Sequence, residues 1–132
     1  MQQKHAFDMA VLRAREVRDY ELPRKTLDRF LLEMPVCLRQ LRYASEIKKF
    51  QMAESLACLI KKSASHVGGE AFSKLAGEME IQAHYENDAE ISARLPELED
   101  SYQLLVNEIV QCEMLNAEED YYYSIPTKGG RI

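Results

Sequence analysis

The stretch ACLIKKSASHVGGEAF, residues 57–72, decides the fold of this chain. Its apolar residues recur at intervals of three and four, which is the spacing of one face of an α-helix. The paired glycines inside it, Gly68 and Gly69, suit a helix C-terminus, where a residue with positive φ is needed. The stretch therefore predicts a helix that ends near His66, followed closely by the start of another.

The same periodicity extends over most of the sequence, and the sustained alternation typical of β-strands is absent. The predicted helices cover residues 7–17, 27–44, 48–66, 70–86 and 89–115. Pro35 interrupts one apolar face that continues on both sides of it, so we expect a kink there rather than a break. Amphipathic helices joined by short loops predict an all-α fold, an antiparallel four-helix bundle with a short additional N-terminal helix over one end.

The apolar pattern stops at about residue 117, which places the bundle in residues 1–116. Residues 117–132 combine acidic side chains, Pro126 and paired glycines, a composition typical of a flexible tail. Two interpretations stay open for Tyr121, Tyr122 and Tyr123. Either one ring packs back on the bundle, or the three form an aromatic segment that binds a partner.

Length and composition narrow the classes of function. The chain has 132 residues, 46% of them hydrophobic, which fits one globular domain with one core. Its net charge of −5 gives no general support for binding nucleic acid or an anionic membrane, and no apolar run is long enough to span a bilayer. Three widely spaced cysteines without a CxxC motif or a secretory signal predict reduced thiols and a cytoplasmic protein.

The opening stretch resembles the signature helix of the histidine-containing phosphotransfer (HPt) domain, where A-H-x-L-K-G-S precedes a late aliphatic residue and a glycine. With Ala57 on the leading alanine, the matching residues are Ile60, Lys61, Ser63, Val67 and Gly68. The flanking segments FLLEMPVCLRQLRYA and AFSKLAGEMEIQA are similar to the neighbouring helices of that family, so the resemblance covers residues 27–110. It implies a protein of a two-component phosphorelay, whose partner is a response-regulator receiver domain or a histidine kinase.

Two residues depart from the family pattern. Cys58 stands in place of the phosphoacceptor histidine, and Lys62 stands in place of a small glycine that lets the receiver approach. The resemblance therefore implies receiver binding without phosphotransfer, and no enzymatic activity. Two alternatives remain: another histidine such as His66 accepts the phosphoryl group, or the chain is a helical interaction module unrelated to phosphorelay. Cys58 itself is either a reactive thiol, as a phosphocysteine or redox group, or a small residue that the site tolerates.

The receiver-binding surface is expected on the flank of the signature helix that faces away from its apolar stripe. Its residues are Glu54, Ser55, Cys58, Leu59, Lys61, Lys62 and Ser65. Exposed lysines around one apolar side chain suit the acidic pocket of a receiver, although a solvated helix face has the same composition. No metal or cofactor is expected, because the chain lacks both the Glu-x-x-His pairs of bundle metal sites and a phosphate-binding glycine loop.

Overall fold

The structure, a computed structural model, describes the backbone of residues 22–124 and the side chains of residues 24–112. The helices in this range are α1 Leu22–Glu46, α2 Phe50–His66, α3 Glu70–His84 and α4 Asp88–Ser124. Each helix packs on the next, α1 also packs on α4, and the described residues contain no strand. The all-α, four-helix bundle prediction is confirmed for this part of the chain. The predicted helix over residues 7–17 lies outside the described residues.

Two helices extend beyond their predicted limits. Helix α1 begins at Leu22 rather than residue 27, because Pro23 fits the first turn of a helix, and Pro35 does not break it. Helix α4 continues past residue 115 to Ser124, so residues 117–124, predicted as tail, are helical. No glycine or proline follows Pro96 until Pro126, and a helix already formed propagates easily through such residues. The side chains of Tyr121, Tyr122 and Tyr123 lie outside the described residues.

The three connections between helices share one turn. A backbone N–H closes each turn on a carbonyl five residues earlier: Lys49 on Ala44 (2.8 Å), Gly69 on Ala64 (2.8 Å) and Asn87 on Gln82 (2.9 Å). The residue before each donor is left-handed: Lys48 (φ 59°), Gly68 (φ 83°) and Glu86 (φ 56°). This is the Schellman arrangement, which satisfies the last carbonyls of a helix. Helix α2 therefore starts at Phe50 rather than residue 48, and α3 ends at His84 rather than residue 86.

Replacing Glu86 by glycine is expected to stabilise the bundle by about 0.5–1 kcal/mol, because a side chain in the left-handed region costs more than the added chain entropy of glycine. The measurement is the free energy of unfolding from chemical denaturation. The exposed Gln51 in the first turn of α2 supplies the control, because Gln51→Gly is expected to destabilise the helix. Equal effects of the two substitutions would contradict the special conformation of Glu86.

The core follows the predicted apolar stripes. Its buried residues on α1 are Leu27, Phe30, Met34, Leu38, Leu41 and Ala44; on α2 and its turn, Ala53, Ala57, Ile60, Ala64 and Val67; on α3, Phe72, Ala76, Met79 and Ala83; and on α4, Ile91, Leu95, Leu98, Tyr102, Leu105 and Ile109. Three rings from three helices meet in it, with the Phe72 centroid 6.4 Å from Phe30 and 5.5 Å from Tyr102. Burial raises the pKa of the Tyr102 hydroxyl.

The paired glycines have different roles. Gly68 has the positive φ that the sequence predicts, whereas Gly69 has φ −89°, which any residue can adopt, so the predicted conformational role is wrong for Gly69. A Cβ on Gly69 would lie 2.8 Å from Cδ2 of the fully buried Leu105. Gly69 therefore lets the α2–α3 turn approach α4 closely.

Candidate functional site

The signature stretch forms most of α2, and its register separates core from surface. Ala57, Ile60 and Ala64 are fully buried against the other helices. Cys58 lies in the middle of the helix and is half-buried, and Lys62, one turn later, is exposed. The expectation of a partly exposed Cys58 on a helix is met. A position matched to a phosphoacceptor and a position matched to a glycine thus both lie at the surface.

The seven predicted site residues do not form one open face. Ser55, Leu59 and Lys62 are exposed, and the last two also line a cavity against α1. The other four, Glu54, Cys58, Lys61 and Ser65, lie toward α3. Glu54 is bound to His84 of α3, with 3.1 Å between Oε2 and Nδ1. The side of α2 that faces α1 and the side that faces α3 are therefore two different surfaces.

Glu80 of α3 connects the site residues that the sequence left separate. Its Oε1 accepts a hydrogen bond from Lys61 Nζ at 2.7 Å, and the Cys58 thiol makes a smaller contribution to lowering the pKa of Glu80. The bond from Lys61 holds the pKa of Glu80 below its usual value and raises the pKa of Lys61, and the charge of Lys62 acts on Glu80 in the same direction. Lys61 is thus paired with a residue of the bundle, whereas the sequence predicted a free positive charge available for docking.

The absence of a side chain at Gly77 in α3 leaves room for Lys61 to reach Glu80. Gly77 lies under the Lys61 side chain, and a Cβ there would be 3.3 Å from Lys61 Cδ. Ser73, which is buried, donates from Oγ to the Lys61 carbonyl at 2.9 Å. The side chain and the backbone of Lys61 are therefore both fixed to α3.

Replacing Glu80 by glutamine is expected to make the free energy of unfolding less sensitive to acid. Because the folded pKa of Glu80 is lowered, its stabilising contribution is complete above the unfolded pKa of about 4.3 and is lost as pH falls through the folded value. Both partners are partly exposed, so the contribution is modest. Denaturation curves between about pH 6 and pH 3 measure it. Glu97, an exposed glutamate of α4, provides the control, because Glu97→Gln should leave the pH dependence of the unfolding free energy as in the wild type. An equal flattening of that pH dependence in both variants would contradict the role assigned to Glu80.

The remaining chemistry at the surface is limited. His66 is exposed in the last turn of α2, one turn after Lys62, and lines two cavities with it. Within residues 24–112, no group of three or more His, Cys, Asp or Glu side chains is placed to hold a metal ion. None of the helices in the described range combines the length and the apolar character needed to cross a bilayer.

Comparisons with protein-family models, with curated proteins and with solved structures return no match for this chain. Functional inference therefore depends on the geometry of α2 and its neighbours.

Proposed function

We propose that the chain is an HPt-like bundle that binds a response-regulator receiver domain, or the receiver's kinase partner, without transferring a phosphoryl group. The surface centred on Cys58 and Lys62 is the docking face. The protein then acts as a decoy or adaptor in a phosphorelay, because it occupies the receiver and offers no imidazole at the matched position.

The proposed bundle is antiparallel, as in the HPt family. Contacts between α2 and α3 support this direction, because Lys61 bonds to Glu80 while the earlier residue Glu54 bonds to the later residue His84. The α1–α4 contacts follow the same rule, since Arg42 pairs with Glu99 at 2.6 Å. Lys48, in the turn that follows α1, pairs with Asp88, the first residue of α4, at 3.7 Å.

One observation carries the proposal, the register of α2. The signature positions that are apolar in the family are buried here, and the two positions that meet the partner are at the surface. A shift of one residue would rotate the helix by about 100° and bring Cys58 to the core. The burial of the matched apolar positions Ala57, Ile60 and Val67 therefore supports the proposal.

The charge of the surface fits an acidic partner. Lys61 and Glu80 largely neutralise each other, which leaves Lys62 as the outward positive charge next to Ser55 and Leu59. An exposed lysine beside an apolar contact favours electrostatic steering toward an acidic pocket and a contact of modest area.

His66 supports a second candidate, an active phosphotransfer protein. Its imidazole is exposed and shares a cavity with two lysines and two serines, Lys61, Lys62, Ser65 and Ser73. A phosphoryl group on it would therefore meet two hydroxyls and two cations, one of which, Lys61, is paired with Glu80. A lysine near a phosphorylated imidazole would offset its added negative charge.

Incubation with a phosphorylated receiver separates the two candidates. The chain is expected to form a complex with a receiver while collecting no acid-labile phosphoryl group, because no imidazole stands at residue 58. Complex formation should weaken with Lys62→Glu and persist with Lys74→Glu, an exposed lysine of α3. A phosphoryl label that appears on the chain and is lost in His66→Ala would establish the second candidate. If the chain binds no receiver in a panel, both candidates are refuted.

A further inference from the structure

Two cavities of about 440 Å³ each lie one after the other between α1 and α2, on a different side of α2 from Glu80. The first has a floor of buried Phe30, Met34 and Val67. The second lies farther along the same two helices, between Tyr43 and Met52. We call the whole feature the α1–α2 crevice.

The crevice exists because α2 packs more closely on α3 than on α1. Small residues on the α2–α3 side, such as Ala57, Ala64 and Gly77, let those helices approach. On the other side, Leu59, Met52 and Tyr43 remain 46–60% exposed at the edges of the crevice. Apolar side chains grouped around two hollows, rather than scattered singly, mark a surface that binds another molecule.

The dimensions of the crevice fit a helix. Its α1 wall runs from Thr26 to Tyr43, which at 1.5 Å per residue is about 26 Å, the length of a helix of about 17 residues. On α1 the linings of the two cavities are centred about nine residues, or about 14 Å, apart, and their near ends are Cys37 and Arg39. Apolar anchors seven or eight residues apart on one helix, about 11–12 Å, would therefore reach into both.

The charge along the crevice selects the partner. Arg29 and Lys62 border the first cavity and Arg39 borders the second, against one carboxylate, Glu33. Arg29 and Arg39 form no ion pair with any residue that the structure describes, although the chain as a whole is acidic. Guanidinium groups that form no such ion pair, beside an apolar floor, favour a ligand whose apolar anchor side chains are flanked by carboxylates.

We propose that the α1–α2 crevice binds an acidic amphipathic helix of another protein, with two apolar anchors seven or eight residues apart and carboxylates on either side of them. Leu59 and Lys62 belong to both this crevice and the receiver-binding surface, whereas Arg39, Tyr43 and Met52 belong to the crevice alone. Substitutions at Arg39 and Met52 therefore test this proposal separately from receiver binding.

The probe is a synthetic helical peptide of about 17 residues with leucines seven residues apart and glutamates flanking them, and the comparison peptide carries lysine in place of every glutamate. Fluorescence anisotropy with the full chain should show the acidic peptide binding at least about tenfold more tightly, with a smaller difference at high salt. The thiol of Cys37, which lines the first cavity, should alkylate more slowly when the acidic peptide is bound, and Cys112 should not change.

Variants locate the contact. Met52→Glu and Arg39→Glu should each weaken acidic-peptide binding at least about tenfold, while Ile81→Glu and Lys74→Glu, at an exposed isoleucine and lysine of α3, change it less than about twofold. Circular dichroism checks that each variant folds. Equal binding of both peptides, or equal effects of all four substitutions, would overturn the proposal.

Two other occupants are also distinguished. If the chain forms dimers in sedimentation and Met52→Glu dissociates them, a second copy fills the crevice and the proposal is wrong. If neither peptide binds and the Cys37 thiol is already protected in the monomer, a segment of the same chain covers the crevice, which equally overturns it.

Discussion

Replacing Phe72 by alanine is expected to lower the free energy of unfolding by about 3–5 kcal/mol, a large part of the stability of a domain of this size. The Phe72 side chain is fully buried, and its ring joins α3 to α1 through Phe30 and to α4 through Tyr102. Its removal leaves a cavity among three helices, and these cannot all move inward together. Urea denaturation of the full chain measures the loss.

Phe50 provides the matched control, because it has the same side chain but is only half-buried at the first residue of α2. Since less apolar surface leaves water at Phe50, Phe50→Ala should cost clearly less than Phe72→Ala. A larger loss at Phe50 would show that the three-ring cluster is not the centre of the core. The m-value should be the same in both variants if neither alters the two-state transition.

The helices and the core could be predicted from the sequence because burial on a helix has its own period. Each predicted stripe between residues 24 and 112 became one side of the core, and Ala57, Ile60 and Ala64 are buried as their spacing indicates. Position 58 is at the surface for the same reason, since it is 100° away from Ala57 on the helix. Local patterns of this kind need no knowledge of the neighbouring helices.

The polar contacts of the site could not be predicted in the same way. Lys61 bonds to Glu80, nineteen residues later, because the α2–α3 turn sets which residues of the two helices lie opposite each other. That turn depends on its hydrogen bonds and on the fit of Gly69 against Leu105, neither of which has a sequence signal of its own. Gly77 has the appearance of a weak point in a helix, and only the structure shows Lys61 lying across it.

The residues with a left-handed backbone conformation show a further limit of prediction from the sequence. Gly68 was predictable as a turn residue because glycine adopts positive φ without strain. Lys48 and Glu86 occupy the same place in the other two turns, and neither residue type indicates it. The predicted helices therefore included these two residues, while the existence of each of the four helices that the structure describes was predicted correctly.

Under the proposed function, replacing Cys58 by histidine supplies the nucleophile that the HPt family uses, yet we expect little or no phosphotransfer from this change alone. The imidazole would lie near Glu80, whose pKa the Cys58 thiol helps to lower, and near Lys61, which is paired with Glu80. Lys62 would still extend from the exposed surface one turn later, where the family has glycine. Docking can survive there because the lysine attracts an acidic pocket, but the reacting groups lose their alignment.

Combining Cys58→His with Lys62→Gly should give transfer at least about tenfold faster than Cys58→His, equivalent to about 1.4 kcal/mol of the barrier, since orientation contributes several kcal/mol to such reactions. Glycine within α2 costs about 1 kcal/mol, which an ordinary bundle survives, and circular dichroism verifies it. Labelled phosphate from a panel of receivers measures the rate, and Lys62→Gly alone should transfer nothing because it lacks the imidazole. If Cys58→His transfers as fast as the double variant, Lys62 is no obstacle to the receiver. If the folded double variant transfers with none of them, the surface differs from that of the family at more than these two residues, and the receiver is not its partner.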